Sequence, residues 1–203
     1  MAVNESVLCL IIDRSGSILP MVSDIVGGIN SFVEEQKKVG NANLVVFRFD
    51  DNVEKVYDGK LLDSPVFTVE DFRPRGMTAL WDAVGEALDH VDKITPDHHL
   101  TPENAPIIFV YTDGYENMSR KYNSDDLKQK VKKREENGWS INFVGAGIDA
   151  CATGGQIGIV PSRCNSFRTD EGIAALRHAS ATVTRTRTGE GFQIIDEARS
   201  ESC

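Results

Sequence analysis

The sequence lacks the features that mark most membrane, secreted and nucleic-acid-binding proteins. No apolar run approaches the roughly 20 residues that a membrane-spanning helix needs. The opening residues, MAVNESV, have neither the basic nor the apolar region of a signal peptide. Basic residues are in the minority, with 22 Lys and Arg against 31 Asp and Glu and a net charge of -9. We therefore expect a cytoplasmic protein that binds neither membranes nor nucleic acids.

Cysteine motifs, internal repeats and low-complexity linkers are also absent. The four cysteines show no CxxC or Cys-His spacing of the kind that binds zinc. With 203 residues, 40% of them hydrophobic, the chain is long enough to bury one substantial core. We predict a single domain over residues 1–187, followed by a C-terminal tail over 188–203.

Apolar strand patterns alternate along the chain with helical spacings. The predicted strands, in chain order, are VLCLII, NLVVFRF, VEKVYDG, PIIFVYT, WSINFVGAG and CNSFR. Helices are predicted from about Pro20 to Gly40, and near 80–94, 124–136 and 171–187. This alternation predicts a doubly wound α/β fold, with helices on both faces of a mostly parallel six-stranded sheet. The expected strand order is 3-2-1-4-5-6, with one antiparallel edge strand contributed by the hairpin.

Two aspartates end strands that are neighbours in this order. Asp13 follows the first strand and Asp113 follows the fourth. The chain reverses its winding direction between these two strands, and ligands of such sheets bind at that point, outside the carboxyl ends of the strands. We therefore expect the two carboxylates to meet in one crevice.

The stretch LCLIIDRSGSI places further oxygen-bearing side chains beside the first aspartate. Asp13, Ser15 and Ser17 stand at alternate positions, and Gly16 allows a tight turn between the serines. Short polar side chains in such a segment can bond to their own backbone in a turn. The alternative interpretation is half of a metal site, completed by residues further along the chain.

Three motifs resemble the von Willebrand factor type A (vWA) family and its metal-ion-dependent adhesion site. They are DRSGS after strand 1, GMT before the second long helix, and TDG after strand 4. The resemblance extends over residues 5–187 and implies a Rossmann-like fold. It assigns the metal ligands to Asp13, Ser15, Ser17, Thr78 and Asp113. Taken alone, Thr78 would be interpreted as a helix N-cap, since threonine is a favoured capping residue.

The resemblance implies a bound Mg²⁺, with Mn²⁺ or Ca²⁺ as alternatives. Mg²⁺ prefers oxygen ligands and tends to retain several waters. Two carboxylates only balance the charge of a divalent ion, so an anionic oxygen from a partner can complete the site. We therefore expect a non-enzymatic module that binds a protein through an Asp or Glu side chain. Intracellular bacterial and phage members of the family suggest a ring-forming ATPase or a stress-response protein as the partner.

Residues in or beside the motif loops are candidates for a partner-binding rim. They are Arg14, Arg75, Tyr115, Glu116 and Asn117. The two arginines either draw an acidic partner towards the site or are ordinary surface residues. The other three follow Asp113 on a loop, where specificity determinants are common.

Two other functions fit parts of the sequence. A metal-dependent phosphatase-like hydrolase could use Asp13 as its nucleophile, but such enzymes usually carry a second acid two residues on, where this chain has Ser15. The segment VGAGIDA has Gly145, Gly147 and Ala150 at the spacing of a dinucleotide-binding fingerprint. A lone fingerprint after a late strand is weak, and we interpret these glycines as a tight exit from the sheet.

Overall fold

The strands of the domain form one six-stranded sheet. In the computed structural model, which describes residues 5–95, 100–101 and 104–189, they are β1 (Ser6–Asp13), β2 (Ala42–Phe49), β3 (Val53–Lys60), β4 (Ile107–Thr112), β5 (Ser140–Ala146) and β6 (Cys164–Phe167). Their order is β3-β2-β1-β4-β5-β6. The edge strand β3 pairs antiparallel with β2, and the other pairings are parallel. The predicted α/β fold and strand order are confirmed.

Helices cover both faces of this sheet. They are α1 (Val22–Val39), α2 (Leu80–Ile94), α3 (Ser124–Glu136), α4 (Ala150–Gly155) and α5 (Gly172–Thr188). The four predicted helices are present, although α1 begins at Val22 and not at Pro20. The short helix α4 in the glycine-rich segment was not predicted. Its N-cap residue, Asp149, accepts a hydrogen bond from the Ala152 N–H at 2.9 Å.

The central strand β1 is buried on both sides because its side chains alternate between two cores. Its even-numbered apolar residues, Leu8, Leu10 and Ile12, join the core beneath α1 and α5. Its odd-numbered ones, Val7, Cys9 and Ile11, join the core beneath α2, α3 and α4. Each of these six side chains is at most 2% exposed. Because alternate side chains are buried on opposite faces, the strand is held rigidly. Asp13 therefore has a fixed position at the carboxyl end of β1.

The helices α1 and α5 pack closely at a glycine. A Cβ atom placed on Gly28 would lie 2.5 Å from Leu176 Cδ1 and 2.9 Å from its Cβ. The helix surfaces can therefore approach at this point only because residue 28 has no side chain.

The described chain ends just after α5. Gly189 adopts a left-handed conformation, with φ of 73°, and ends the helix. Of the predicted tail over 188–203, residues 190–203 lie outside the described residues. In the part of the chain that the structure describes, none of the helices is long and apolar enough to cross a membrane.

Candidate metal centre

The carboxylate of Asp13 is held rigidly at the end of β1. Its side chain is fully buried. One oxygen accepts a hydrogen bond from the Ser15 N–H at 2.6 Å, and the other accepts one from the Thr112 hydroxyl at 2.5 Å. Sequence reasoning missed Thr112 as a partner. The signal was present in the pairing of β1 with β4, because the last register pair, Ile12 with Tyr111, directly precedes Asp13 and Thr112.

The two motif serines connect Asp13 to the aspartate that follows β4. The Ser17 hydroxyl donates a hydrogen bond to Asp113 Oδ1 at 2.8 Å. The hydroxyl oxygens of Ser15 and Ser17 lie 3.1 Å apart. Ser15 is buried and Ser17 is exposed. Four of the five predicted ligands therefore lie in one chain of contacts, with the exposed serine on its outer side.

The fifth predicted ligand, Thr78, reaches the same place from a different loop. Its N–H donates to Asn117 Oδ1 at 2.9 Å, and its carbonyl oxygen accepts from the Asn117 N–H at 3.1 Å. A Cβ atom on Gly114 would lie 3.0 Å from Thr78 Oγ1 and 3.8 Å from Asp13 Oδ2. The Thr78 hydroxyl and the Asp13 carboxylate therefore both lie close to the position that a side chain at residue 114 would occupy. Glycine at position 114 leaves the space between them free.

Thr78 does not cap helix α2. The N-cap residue of α2 is Ala79, which has no capping side chain. The carboxylate of Glu116 takes this role, accepting a hydrogen bond from the Trp81 N–H at 2.8 Å. Thr78 is 4% exposed, and its hydroxyl is thus not needed for helix capping.

Burial makes the two carboxylates harder to ionise. It raises the pKa of Asp13 to about 6, and the nearby Asp113 carboxylate adds to the increase, while hydrogen bonds from Thr112 and Ser15 oppose it. Burial also raises the pKa of Asp113 above its usual range. A cation between these carboxylates would favour their charged forms.

The donor set fits a hard divalent cation. Two carboxylates and three hydroxyls offer only oxygen ligands, which Mg²⁺, Mn²⁺ and Ca²⁺ prefer, and no imidazole or thiolate belongs to the set. Among residues 5–95, 100–101 and 104–189, no group of three or more His, Cys, Asp and Glu side chains is placed to hold a metal ion. The proposed centre is not a group of this type, because it has only two carboxylates and its other three ligands are hydroxyls.

The two arginines proposed for the rim lie in an ion-pair network. The guanidinium of Arg14 has Nε 3.0 Å from Asp50 Oδ2 and Nη2 2.6 Å from Glu54 Oε1. Arg75 contacts the same two carboxylates, at 2.6 Å and 2.8 Å. Arg14 is only 3% exposed, whereas Arg75 is 57% exposed. Because Arg14 is buried, we leave it out of the proposed contact surface and assign it to holding the motif loop.

The residues after Asp113 have different environments. Tyr115 is 59% exposed. The carboxylate of Glu116 accepts further hydrogen bonds from the N–H groups of Met118 and Ser119, at 2.8 Å and 2.7 Å. Asn117 holds Thr78, as described above. Of these three predicted rim residues, Tyr115 is the one whose side chain is free of such a structural role.

A buried carboxylate outside the three motifs holds the loop that follows Asp113. Asp82 is 7% exposed and accepts hydrogen bonds from three consecutive backbone N–H groups, at 2.8–3.0 Å, which belong to Arg120, Lys121 and Tyr122. Its backbone N–H donates to the Ser119 hydroxyl at 3.0 Å. Asp82 thus ties the start of α2 to the segment that follows Asp113.

The sheet order and the polar crevice beyond β1 and β4 define a doubly wound α/β protein. Solved structures that share its fold are vWA domains. A von Willebrand factor type A protein from Catenulispora acidiphila matches 89% of this chain and 43% of its own, with 15% identity and a TM-score of 0.60. The vWF domain of the type V pili tip protein Mfa5 from Porphyromonas gingivalis matches 97% of this chain and 100% of its own, with 10% identity and a TM-score of 0.65.

A third similar structure is proximal thread matrix protein 1 from the mussel byssus, with a zinc-occupied metal-ion-dependent adhesion site. It matches 88% of this chain and 48% of its own, with 16% identity and a TM-score of 0.60. The chain therefore has the vWA fold. It spans less than half the length of the Catenulispora and mussel chains. No family model matches the sequence, and the comparison with curated proteins found no significant match.

Proposed function

We propose that this chain is a protein-binding module that holds a divalent metal ion and uses it to bind an acidic side chain of a partner. The proposed metal ligands are Asp13, Ser15, Ser17, Thr78 and Asp113. The observation that carries the proposal is that three separate loops bring these oxygen-bearing side chains together at the carboxyl ends of β1 and β4. Ligands of doubly wound sheets bind at this place.

The surrounding residues hold these oxygens in position. The Ser15 N–H and the Thr112 hydroxyl orient the two oxygens of Asp13, and Asn117 fixes the backbone of Thr78. When bound, the metal would supply a coordination position for one more anionic oxygen. Since two carboxylates only balance a divalent charge, the chain itself leaves that position to a partner's Asp or Glu.

The proposal also names the metal ion, the cellular location and the class of partner. Mg²⁺ is the proposed metal, because an all-oxygen donor set suits it and the mussel relative shows that a divalent ion, zinc, occupies this kind of site in that protein. We further propose a non-enzymatic, cytoplasmic protein of bacterial or phage type, with a ring-forming ATPase or a stress-response protein as its partner. This last part rests on the resemblance of the motifs alone.

Calorimetric titration tests the metal site. We expect Mg²⁺ and Mn²⁺ to bind the wild-type protein with measurable heat and to raise its melting temperature. The variant Asp13→Asn, which keeps the size of the side chain, should lose both effects. Glu70→Gln is a matched control, because Glu70 is 78% exposed and, among the residues that the structure describes, forms an ion pair only with Arg73. Identical responses in the wild type and in Asp13→Asn would overturn the assignment.

A pull-down from lysate, with and without chelator, tests the protein-binding role. We expect a partner that the wild-type protein retains in Mg²⁺, that chelator releases, and that Asp13→Asn does not retain. The hydrolase alternative has its own test, the turnover of a generic phosphate ester. Turnover that disappears in Asp13→Asn would favour that alternative over the binding module.

A further inference from the structure

Each of the three loops that carry the proposed metal ligands also exposes one large hydrophobic side chain. Leu19, Met77 and Tyr115 are 65%, 48% and 59% exposed. Leu19 follows Ser17 by two positions, Met77 directly precedes Thr78, and Tyr115 follows Asp113 by two positions. The other exposed large hydrophobic residues in the described part of the chain belong to other segments, at Leu62, Val66, Val69, Ile94, Val160 and Ile173.

Hydrogen bonds between the loops hold these three side chains around one crevice. The Gly16 N–H donates to the Gly76 carbonyl at 3.3 Å, which joins the loop of Leu19 to that of Met77. The Asn117 N–H donates to the Thr78 carbonyl at 3.1 Å, which joins the loop of Met77 to that of Tyr115. The bond from Ser17 to Asp113 joins the first loop to the third. The three exposed apolar side chains are therefore carried by loops that meet at the same site.

Their exposure is not a general property of these loops. Ile18, next to Leu19, is 1% exposed, and Ala79, two residues after Met77, is also 1% exposed. The loops therefore bury other apolar side chains in the core while they leave these three outside. Apolar side chains grouped on a surface mark interaction sites, and methionine and tyrosine are enriched in protein interfaces.

Two charged side chains on the same rim, Arg75 and Glu116, are already engaged within the chain. Arg75 contacts Asp50 and Glu54, and the Glu116 carboxylate accepts hydrogen bonds from backbone N–H groups. Around the oxygen ligands, the rim therefore offers apolar contacts more readily than ion pairs. A partner that fits both features carries one acidic residue with apolar neighbours.

We propose that Leu19, Met77 and Tyr115 form an apolar collar, which contacts the residues on either side of the partner's acidic residue. The preferred partner segment is therefore an Asp or Glu flanked by large apolar side chains. This inference rests on the proposed function, since it needs the acidic residue to be anchored at the metal centre. It adds a preference for apolar residues at the positions that flank the acidic residue, which the metal ligands themselves do not determine.

Selection from displayed peptides tests the collar. The probe is a library of nine-residue peptides with Asp or Glu fixed at the centre and the other eight positions random. A matched library has Asn or Gln at the centre. Peptides are bound to the wild-type protein in Mg²⁺ and eluted with EDTA. We expect the acidic library alone to yield EDTA-eluted peptides, with large apolar residues enriched at the positions adjoining the centre.

Collar variants then measure the contribution of each side chain. Binding of one selected peptide is followed by fluorescence anisotropy in Mg²⁺. We expect Leu19→Ser, Met77→Ser and Tyr115→Ser each to weaken binding by about tenfold, as the loss of a buried apolar contact would. The controls Leu62→Ser and Val66→Ser change exposed apolar residues outside the collar and should bind as the wild type does. Mn²⁺ titration without peptide should give equal affinities for all five variants.

The outcomes separate this inference from the proposed function. EDTA-eluted acidic peptides with no apolar enrichment would overturn the collar and leave the metal-dependent module standing. Equal losses in the collar variants and in the two controls would also overturn it. A selection that yields no EDTA-eluted acidic peptides would contradict the proposed function itself, and with it the anchoring that the collar requires.

Discussion

The hydroxyl of Ser17 donates a hydrogen bond to the carboxylate of Asp113 at 2.8 Å, across 96 positions of the sequence. The two residues follow neighbouring parallel strands, and no local interaction could bring them together. Their contact is a consequence of the strand order, which places the carboxyl ends of β1 and β4 side by side. The candidate metal centre is therefore built by the topology of the whole sheet, and its integrity should depend on residues that hold the loops in place.

Two arginines that contact the same carboxylates should contribute very differently to stability. Arg14 and Arg75 both lie against Asp50 and Glu54, but Arg14 is 3% exposed and Arg75 is 57% exposed. Removing the buried guanidinium of Arg14 leaves part of the Asp50 charge uncompensated, and Asp50 is itself only 1% exposed. We expect Arg14→Met to lower the free energy of unfolding by about 2–4 kcal/mol and Arg75→Met to lower it far less, because exposed ion pairs contribute little. Urea unfolding measures both, and equal losses would contradict the assigned role of burial.

The burial of Arg14 shows where the sequence stops being informative. The apolar run before Asp13 and the strand order sufficed to predict that Asp13 and Asp113 share a crevice. The partners of Arg14 come from the end of β2 and the start of β3, more than 30 positions away, and depend on how the hairpin folds over the first loop. The same holds for Asn117, which was predicted as a rim residue and whose side chain also binds the backbone of Thr78.

Local propensity also failed for one element. Helix α4 contains two glycines among its six residues, and glycine disfavours helices by about 1 kcal/mol relative to alanine. The helix forms in this segment because Asp149 caps it and because Gly154 packs against Phe143 and Cys164, where a side chain would not fit. Tertiary packing of this kind cannot be read from a six-residue window.

Adjacent glycines in α1 should respond in opposite directions to the same substitution. A Cβ on Gly28 would overlap Leu176, whereas nothing lies within 4 Å of a Cβ on Gly27. We expect Gly28→Ala to destabilise the fold by about 1–2 kcal/mol, since overpacking outweighs the gain in helix propensity. Gly27→Ala should stabilise it by about 0.5–1 kcal/mol. Thermal and urea unfolding of the two variants provide the measurement, and a gain in both would show that α5 can move away from α1 at little cost.

Asn117 should affect metal affinity through Thr78. The Asn117 side chain accepts a hydrogen bond from the Thr78 N–H, and the backbone N–H of Asn117 donates to the Thr78 carbonyl. We expect Asn117→Ala to weaken Mn²⁺ binding by about tenfold, a size typical of the loss of a residue that orients a ligand. Tyr115→Ala, on the same loop but with an exposed side chain, should leave the affinity unchanged. Calorimetry compares the two, and unchanged Mn²⁺ affinity in Asn117→Ala would remove Thr78 positioning from the proposal.

Asp13 should lower the stability of the metal-free protein at neutral pH. Burial raises its pKa from the ordinary value of 3.8 to about 6, so between these two pH values the folded state holds a proton that the unfolded state has already released. The free energy of unfolding therefore falls as pH rises from about 4 to about 6. At pH 7 the full decrease, on the order of 2–3 kcal/mol, is present.

Asparagine at position 13 carries no such charge and can keep the hydrogen bonds. Its oxygen can accept from the Ser15 N–H, and its NH₂ group can donate to the Thr112 hydroxyl, which in turn can donate to the Gly114 carbonyl. In EDTA at pH 7, Asp13→Asn should therefore be more stable than the wild type, and this advantage should shrink as pH falls through the window from 6 to 4. Urea unfolding across this range measures the difference. A variant that is less stable than the wild type at pH 7 would show that the Asp13 charge is satisfied by the chain itself, with no need of a cation.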